Sequence, residues 1–235
     1  MADYVTAHFY NPAPGRETAL DEAFLAHARE LPRLRGFKSA QRFEITAQQI
    51  MPCAQPWRRL TLYEVSCEDP NIDVPPLAPL LANLRDAGLF AADEAERMHT
   101  YRMYHPWKYS KNYTSGPLDH VMLLLANFTP GREAEYHRWY DEQHSVEVGE
   151  AEGFVGMRRG KLSPVQIAPV SYCPGSELIL GGLQAGERDL AFVTKDFADR
   201  AGGTSPSGVV WGPRSTSASV ARTVHLFKSI AGPFN

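Results

Sequence analysis

Residues Tyr136 to Phe154, YHRWYDEQHSVEVGEAEGF, set the frame for the whole chain, because a weaker copy ending in HARELPRLRGF stands earlier, from His27 to Phe37. His27 and His144 are 117 residues apart, and so are Gly36 and Gly153 of the two Gly-Phe pairs. Working outward, a Pro-Gly-Arg-Glu tetrad opens the helical pattern in both places, Pro14 to Glu17 and Pro130 to Glu133. An apolar strand-like run precedes each tetrad and ends in asparagine, at Asn11 and at Asn127, now 116 residues apart. Self-similarity at this period implies one supersecondary unit used twice.

The order of elements follows from hydrophobic periodicity and turn residues. The first half predicts strands at Tyr4 to Tyr10, Phe37 to Glu44, Arg59 to Ser66 and Met98 to Tyr104, with helices at Glu17 to Leu31 and Leu77 to Ala87. The second predicts strands at Val121 to Asn127, Phe154 to Leu162, Glu177 to Leu183 and Ser219 to Lys228, with helices at Glu133 to Val148 and Glu187 to Ala201. Each half therefore reads β-α-β-β-α-β, a ferredoxin-like unit of the α+β class. The domains expected are 1–105 and 118–235, joined by a linker at 106–117, PWKYSKNYTSGP from Pro106 to Pro117. In Val121 to Ala126 both alternating sets are apolar, so this strand is expected to be buried on both faces, one under helices and the other against a second sheet.

The 235 residues carry a formal charge of -3, a pI near 6.2 and an apolar share of 43%. That composition supports an ordinary core and lacks the basic field that nucleic acid or an anionic membrane surface requires. The longest apolar run is far below the roughly 18 residues of a membrane span, and MADYVTAHFY lacks the regions of a signal peptide, so a cytoplasmic location is expected. Cys53, Cys67 and Cys173 have neither the spacing of a zinc site nor the even number of a disulfide framework. Gly-x-Gly-x-x-Gly, P-loop, Gly-x-Ser-x-Gly and His-Glu-x-x-His motifs are missing, which disfavours nucleotide, phosphoryl and zinc chemistry.

Chemistry-bearing side chains concentrate on the second half's first helix. Tyr136, Tyr140 and His144 stand at i, i+4 and i+8 and share a face, with Trp139 and Gln143 beside them. The pattern suits a packed aromatic face as well as a pocket in which Tyr140 donates a hydrogen bond and His144 moves a proton. Asp141 or Glu142 would orient the imidazole. His99 and Tyr101, like His8 and Tyr10, sit on strands that could reach a pocket; Arg158, Arg159 and Arg222, with Asn127, could hold a carboxylate, for which the guanidinium fork is suited. Gly202 to Ser217, with Trp211 as its large aromatic, reads as a lid candidate.

The stretch EYHRWYDEQHSVEVGEAEGF resembles the first-helix motif of the dimeric α+β barrel superfamily, in which an aromatic pair, an acidic residue and a histidine precede Gly-Phe. The resemblance implies an intramolecular barrel of two packed antiparallel sheets, with a pocket walled by Trp139, Tyr140 and His144. The first half keeps His27 but has Glu22 and Ala23 at the aromatic pair when the 117-residue offset is applied, so one working pocket is expected, in the second half. Members include muconolactone isomerases, polyketide cyclases, cofactor-free quinone-forming monooxygenases and heme-binding groups, for which His225 or His99 would be the conceivable iron ligands. By analogy, the expected activity is cofactor-independent isomerisation of a small unsaturated oxo or hydroxy acid from aromatic catabolism. Its residues are His144 as base or acid, Tyr140 as enolate donor and Arg222 as carboxylate anchor, with Tyr136, Asn127, Arg158, Trp211, His99 and Tyr101 as further binding residues. The alternatives are a monooxygenase or polyketide-type cyclase acting on a polycyclic phenol, with Trp139 and Trp211 stacked on its rings, and a non-catalytic binding or stress-response module. No metal or cofactor is expected, the partner is a small molecule, and a homodimer is left open.

Overall fold

The computed structural model describes residues 1–92, 96–111, 113, 118–151, 153–168, 173, 175–184, 190–202, 211 and 218–235. Its first half runs β1 (Ala2–Tyr10), α1 (Glu17–Glu30), β2 (Phe37–Ile45), β3 (Arg59–Cys67), α2 (Pro70–Asp73), α3 (Leu77–Asp86) and β4 (Arg97–Met103). After a short strand β5 (Lys108–Tyr109) come β6 (His120–Phe128), α4 (Glu133–Trp139), a π-helical turn (Tyr140–His144), α5 (Ser145–Gly149), β7 (Phe154–Leu162), β8 (Glu177–Leu183), α6 (Leu190–Gly202) and β9 (Ser219–Phe234). Of the helix expected at Glu187 to Ala201, residues 187–189 lie outside the described residues, as do 203–210 and 212–217 of the lid candidate and 112 and 114–117 of the linker.

The class is α+β with an antiparallel sheet. Its strand order is β4-β1-β3-β2-β9-β6-β8-β7, and β4 returns to β7, Tyr101 opposite Leu162 and Met103 opposite Gly160. Eight strands thus close into a barrel. The expectation of two sheets stacked face to face is corrected in this respect: their edges are hydrogen-bonded to each other, at β2–β9 and at β4–β7. Backbone groups at a bare edge seek partners, and closure removes the edges.

The pleat then sorts side chains into two cores. Val5, Ala7 and Phe9 of β1, Leu60 and Leu62 of β3, and Val121, Leu123 and Leu125 of β6 fill the barrel interior. The alternate residues of β6, Met122 and Leu124, point out under the second half's helices with Ile179 and Leu183 of β8, which is why this strand carries no polar position in its middle. In the first half, Leu20, Phe24 and Leu31 pack with Leu77, Leu81 and Leu84 over the sheet.

Two glycines show why the Gly-Phe pair recurs. Gly36 and Gly153 have φ of +75° and +76°, the left-handed turn that ends the helical segment and starts the strand. A Cβ on Gly36 would lie 2.4 Å from the Ser66 carbonyl oxygen.

Candidate functional site

The helical segment opposite β6, β7 and β9 does not continue as a regular α-helix. At Tyr140–His144 it widens by one residue per turn, and the Ser145 N–H donates to the carbonyl oxygen of Tyr140, five residues back. Single π turns inside α-helices often mark functional sites. The consequence is a face-to-face stack of Trp139 and His144, also five residues apart, with ring centroids 4.4 Å apart and planes within 12°. On a regular helix these two would diverge. Tyr140 meets the same imidazole edge-on at 4.9 Å, and Trp211 meets it edge-on at 5.6 Å.

The rings of Trp139, Tyr140 and His144 wall a cavity of about 230 Å³ between the barrel's outer surface and the helices. Its floor is Met122, Leu124, Met157 and Val224; Phe197 and Ala198 of α6 close one side. Ile50 and Met51, from the β2–β3 loop of the other half, close another. The polar side chains in this lining are those of Tyr140, His144 and Arg222, with the Trp139 indole beside them. His144 is 12% exposed, and its Nδ1 lies 3.7 Å from Glu147 Oε2, while Gln143 Nε2 donates to Glu147 Oε1 at 3.0 Å. The carboxylate at the imidazole is therefore Glu147, in place of the Asp141 or Glu142 expected from sequence.

Asp141 is turned to a second cluster beneath the π turn. Arg159 on β7, 2% exposed, pairs through Nη2 with Asp141 at 2.7 Å and through Nη1 with Glu177 at 3.4 Å, and its guanidinium lies 4.4 Å from the Tyr140 ring centroid. The Tyr104 hydroxyl donates to the other oxygen of Glu177 at 2.8 Å. Burial pushes the Glu177 carboxyl up to about 7, opposed by Arg159 and the tyrosine hydrogen bond. Burial likewise raises the Tyr136 phenol, with the neighbouring Tyr140 and Glu177 adding to it. Arg42 repeats the ring contact in the first half, 4.4 Å from Phe24, but pairs with Asp21 on a regular helix. Tyr140 thus corresponds to Phe24, 116 residues earlier, while His144 corresponds to His27 at 117. The second half holds one residue more between these anchors, and the π turn accommodates it. This corrects the placement of Glu22 and Ala23 opposite the aromatic pair: the tyrosine position is held by Phe24, and only Trp139 lacks an aromatic counterpart.

Of the residues expected at a site, Trp139, Tyr140, His144 and Arg222 converge on the cavity, and Trp211 adjoins it through His144 and Phe197. Tyr136 is buried behind Tyr140, ring centroids 5.5 Å apart. The others are elsewhere. Asn127 Oδ1 accepts from the Ser176 backbone N–H at 3.0 Å and ties down the start of β8. Arg158 points into the barrel mouth, bound to Asp3 at 2.6 Å and Glu64 at 3.0 Å. Tyr101 faces the barrel interior and donates to the Gly175 carbonyl at 3.0 Å; His99, two residues earlier on the same strand, shares that face. His225, 1% exposed, is bonded through Nδ1 to Gln55 at 2.7 Å. His27 is a core histidine within 3.3 Å of the Tyr63 hydroxyl, its basicity lowered to about 4 by burial. Ile50, Met51 and Glu147 are the site residues sequence reasoning missed.

No family model matches the chain, and none of the curated proteins does. Solved structures do match. A protein of provisional monooxygenase assignment from Fusobacterium nucleatum subsp. nucleatum aligns over 98% of this chain and 93% of its own at a TM-score of 0.59 and 8% identity. An anthrone oxidase-like protein covers 98% and 92% at 0.55 and 10% identity. A chlorite dismutase variant from Candidatus Nitrospira defluvii covers 98% and 92% at 0.61 and 7% identity. The fold is of the ferredoxin-like α+β barrel type. These neighbours carry oxygenase, oxidase and chlorite dismutase names, and the isomerase expectation is corrected on that finding. Among the described residues no helix is long and apolar enough to cross a membrane.

Proposed function

We propose that this protein is a cofactor-independent monooxygenase acting on a fused-ring phenol. The observation that carries the reading is the cavity lining: aliphatic and aromatic on nearly every side, with a single imidazole stacked on an indole. A cavity of roughly 150 Å³ suffices for benzene, so one of about 230 Å³ suits two or three fused rings. Trp139 and the edge of Tyr140 supply flat apolar contact. His144 takes the phenolic proton as general base, and Glu147 balances the imidazolium that results. The phenolate so formed is electron-rich enough to react with O2. In the overall reaction a ring CH2 of the keto tautomer becomes C=O with one oxygen atom, and the second leaves as water with the two hydrogens, so the substrate supplies every electron. Tyr140, held over Arg159, hydrogen-bonds the ring oxygen as charge accumulates there.

Heme, which binds other members of this fold type, does not fit the residues present. The histidines expected as iron ligands, His225 and His99, belong to the barrel interior, and the imidazole in the cavity is covered by Trp139. We also infer that the chain consists of two repeats, 1–105 and 118–235, joined through 106–117; in support, each half has its own strands in the order fourth, first, third, second.

The test is oxygen consumption with anthrone or a dihydroxynaphthalene as substrate, alongside quinone absorbance. One O2 consumed per quinone formed is expected, with a loss of about 10²- to 10⁴-fold in His144→Ala, the usual range for removing a general base. Equal rates in the two proteins, or no turnover of any fused-ring phenol, overturn the proposal.

A further inference from the structure

We infer that the molecule bound in this cavity carries an anionic group, a carboxylate or its equivalent, that pairs with Arg222, in addition to the hydroxyl that faces His144. The inference rests on the cavity being the ligand site and is independent of oxygenation. Among the described residues the buried guanidinium groups are matched with carboxylates: Arg42 with Asp21 at 2.7 Å, Arg59 with Glu44 at 3.0 Å, Arg200 with Asp196 at 2.7 Å, and Arg158 and Arg159 each with two. That is what the cost of burying a lone charge demands. Arg222 departs from this. It is half-buried, it lines the cavity beside Leu124 and Val224, and no hydrogen-bond or ion-pair partner for it occurs among the described residues. The segment 203–217 that precedes β9 has no Asp or Glu in its sequence and has no carboxylate to offer.

The backbone supplies a second, independent observation. The β6–β9 ladder runs regularly from His120 opposite Lys228 to Leu125 opposite Thr223, then slips, so that Asn127 faces Val220. Two residues of β9, 221 and 222, therefore stand against Ala126 alone. Such a bulge re-aims a side chain and is common beside binding sites. The first half's β1–β4 ladder, from Tyr4 opposite Arg102 to Phe9 opposite Arg97, has no slip. The second half has a bulge that presents a cation without a hydrogen-bond or ion-pair partner among the described residues, and a π turn that presents an imidazole, both lining one apolar cavity. A flat ligand that satisfies both has a hydroxyl at one end and an anion at the other.

Quenching of the Trp139 and Trp211 fluorescence measures binding without turnover. The probes are 6-hydroxy-2-naphthoate and 2-naphthol, which differ only in the carboxylate. In the wild type the carboxylate is expected to lower Kd by roughly 10- to 100-fold, the range of a charge-assisted hydrogen bond. Arg222→Met removes that gain, so that the ratio of the two Kd values falls to about 1; Arg222→Lys restores part of it. Equal Kd values for the two probes in the wild type, or an equal effect of Arg222→Met on both, overturn the inference, and so does failure of both probes to bind. If the carboxylate gain is present and no quinone forms under air, the oxygenase reading fails and this one stands.

Discussion

At the scale of single residues, burial decides what each ionisable group can do. His27 and His225 are both held at about 4 because burial penalises the charged ring. Lowered histidines favour the folded state fully above their ordinary value of 6.5, and the benefit disappears as pH falls toward 4. Glu177 works the other way: raised from 4.5 to about 7, it favours the folded state below 4.5, and that contribution is lost as pH rises through about 7. Two groups outweigh one, so urea midpoints should drop between pH 6.5 and 4, and the drop should shrink in His225→Gln. Arg159→Met is expected to cost about 3 kcal/mol in urea denaturation at pH 8, the low end for breaking a buried pair, because Asp141 remains near solvent. The same variant at pH 5.5, where Glu177 accepts a proton, should lose less. None of this was legible in the chain: Arg159 and Arg158 are adjacent in sequence, and only the pleat sends one under Tyr140 and the other into the barrel mouth.

At the scale of elements, some strands were legible to the residue, since Phe154–Leu162 and Glu177–Leu183 are the strands that alternation and turn residues outline, whereas β9 runs to Phe234, six residues past the expected end, and β5 forms inside the expected linker. The π turn was legible in an unread form. The offset between the halves passes from 116 at the Pro-Gly tetrads to 117 at the histidines, so a residue is gained inside a helix whose flanks stay in register. A helix absorbs such a gain by widening one turn, and 3.6-residue periodicity has no place for it. Deleting Glu142, an exposed residue of the turn, should restore regular α-helix and separate Trp139 from His144. The check is the NMR shift of the His144 ring protons: the upfield displacement caused by the stacked indole should vanish in the deletion variant, with the rest of the spectrum kept. Glu147, by contrast, was within reach of the pattern, since it stands three residues after His144, a spacing that makes neighbours on any helix. Ile50 and Met51 were missed because they come from the other half, and local pattern carries no such long-range contact.

For the whole molecule, the sequence told that β6 is apolar on both faces, but not whether its inner face meets a stacked sheet or a closed wall. The difference lies in backbone hydrogen bonds at β2–β9 and β4–β7, which leave no mark on side-chain pattern. At the second of these, a Cβ on Gly160 would come within 2.7 Å of the Arg102 carbonyl oxygen and 2.6 Å of Met103 Sδ. Gly160→Val should therefore force the β4–β7 seam apart, lowering the thermal midpoint and exposing the amides of Lys161 and Met103 to rapid hydrogen exchange while those of β6 stay protected. The other seam joins Ile45 to Phe227, partners from almost opposite ends of the chain. Contacts so remote in sequence form late. Until β9 arrives, β2 offers a bare edge to whatever strand is nearest, so each folding molecule is in competition with its neighbours, and the yield of refolded protein should rise steeply on dilution.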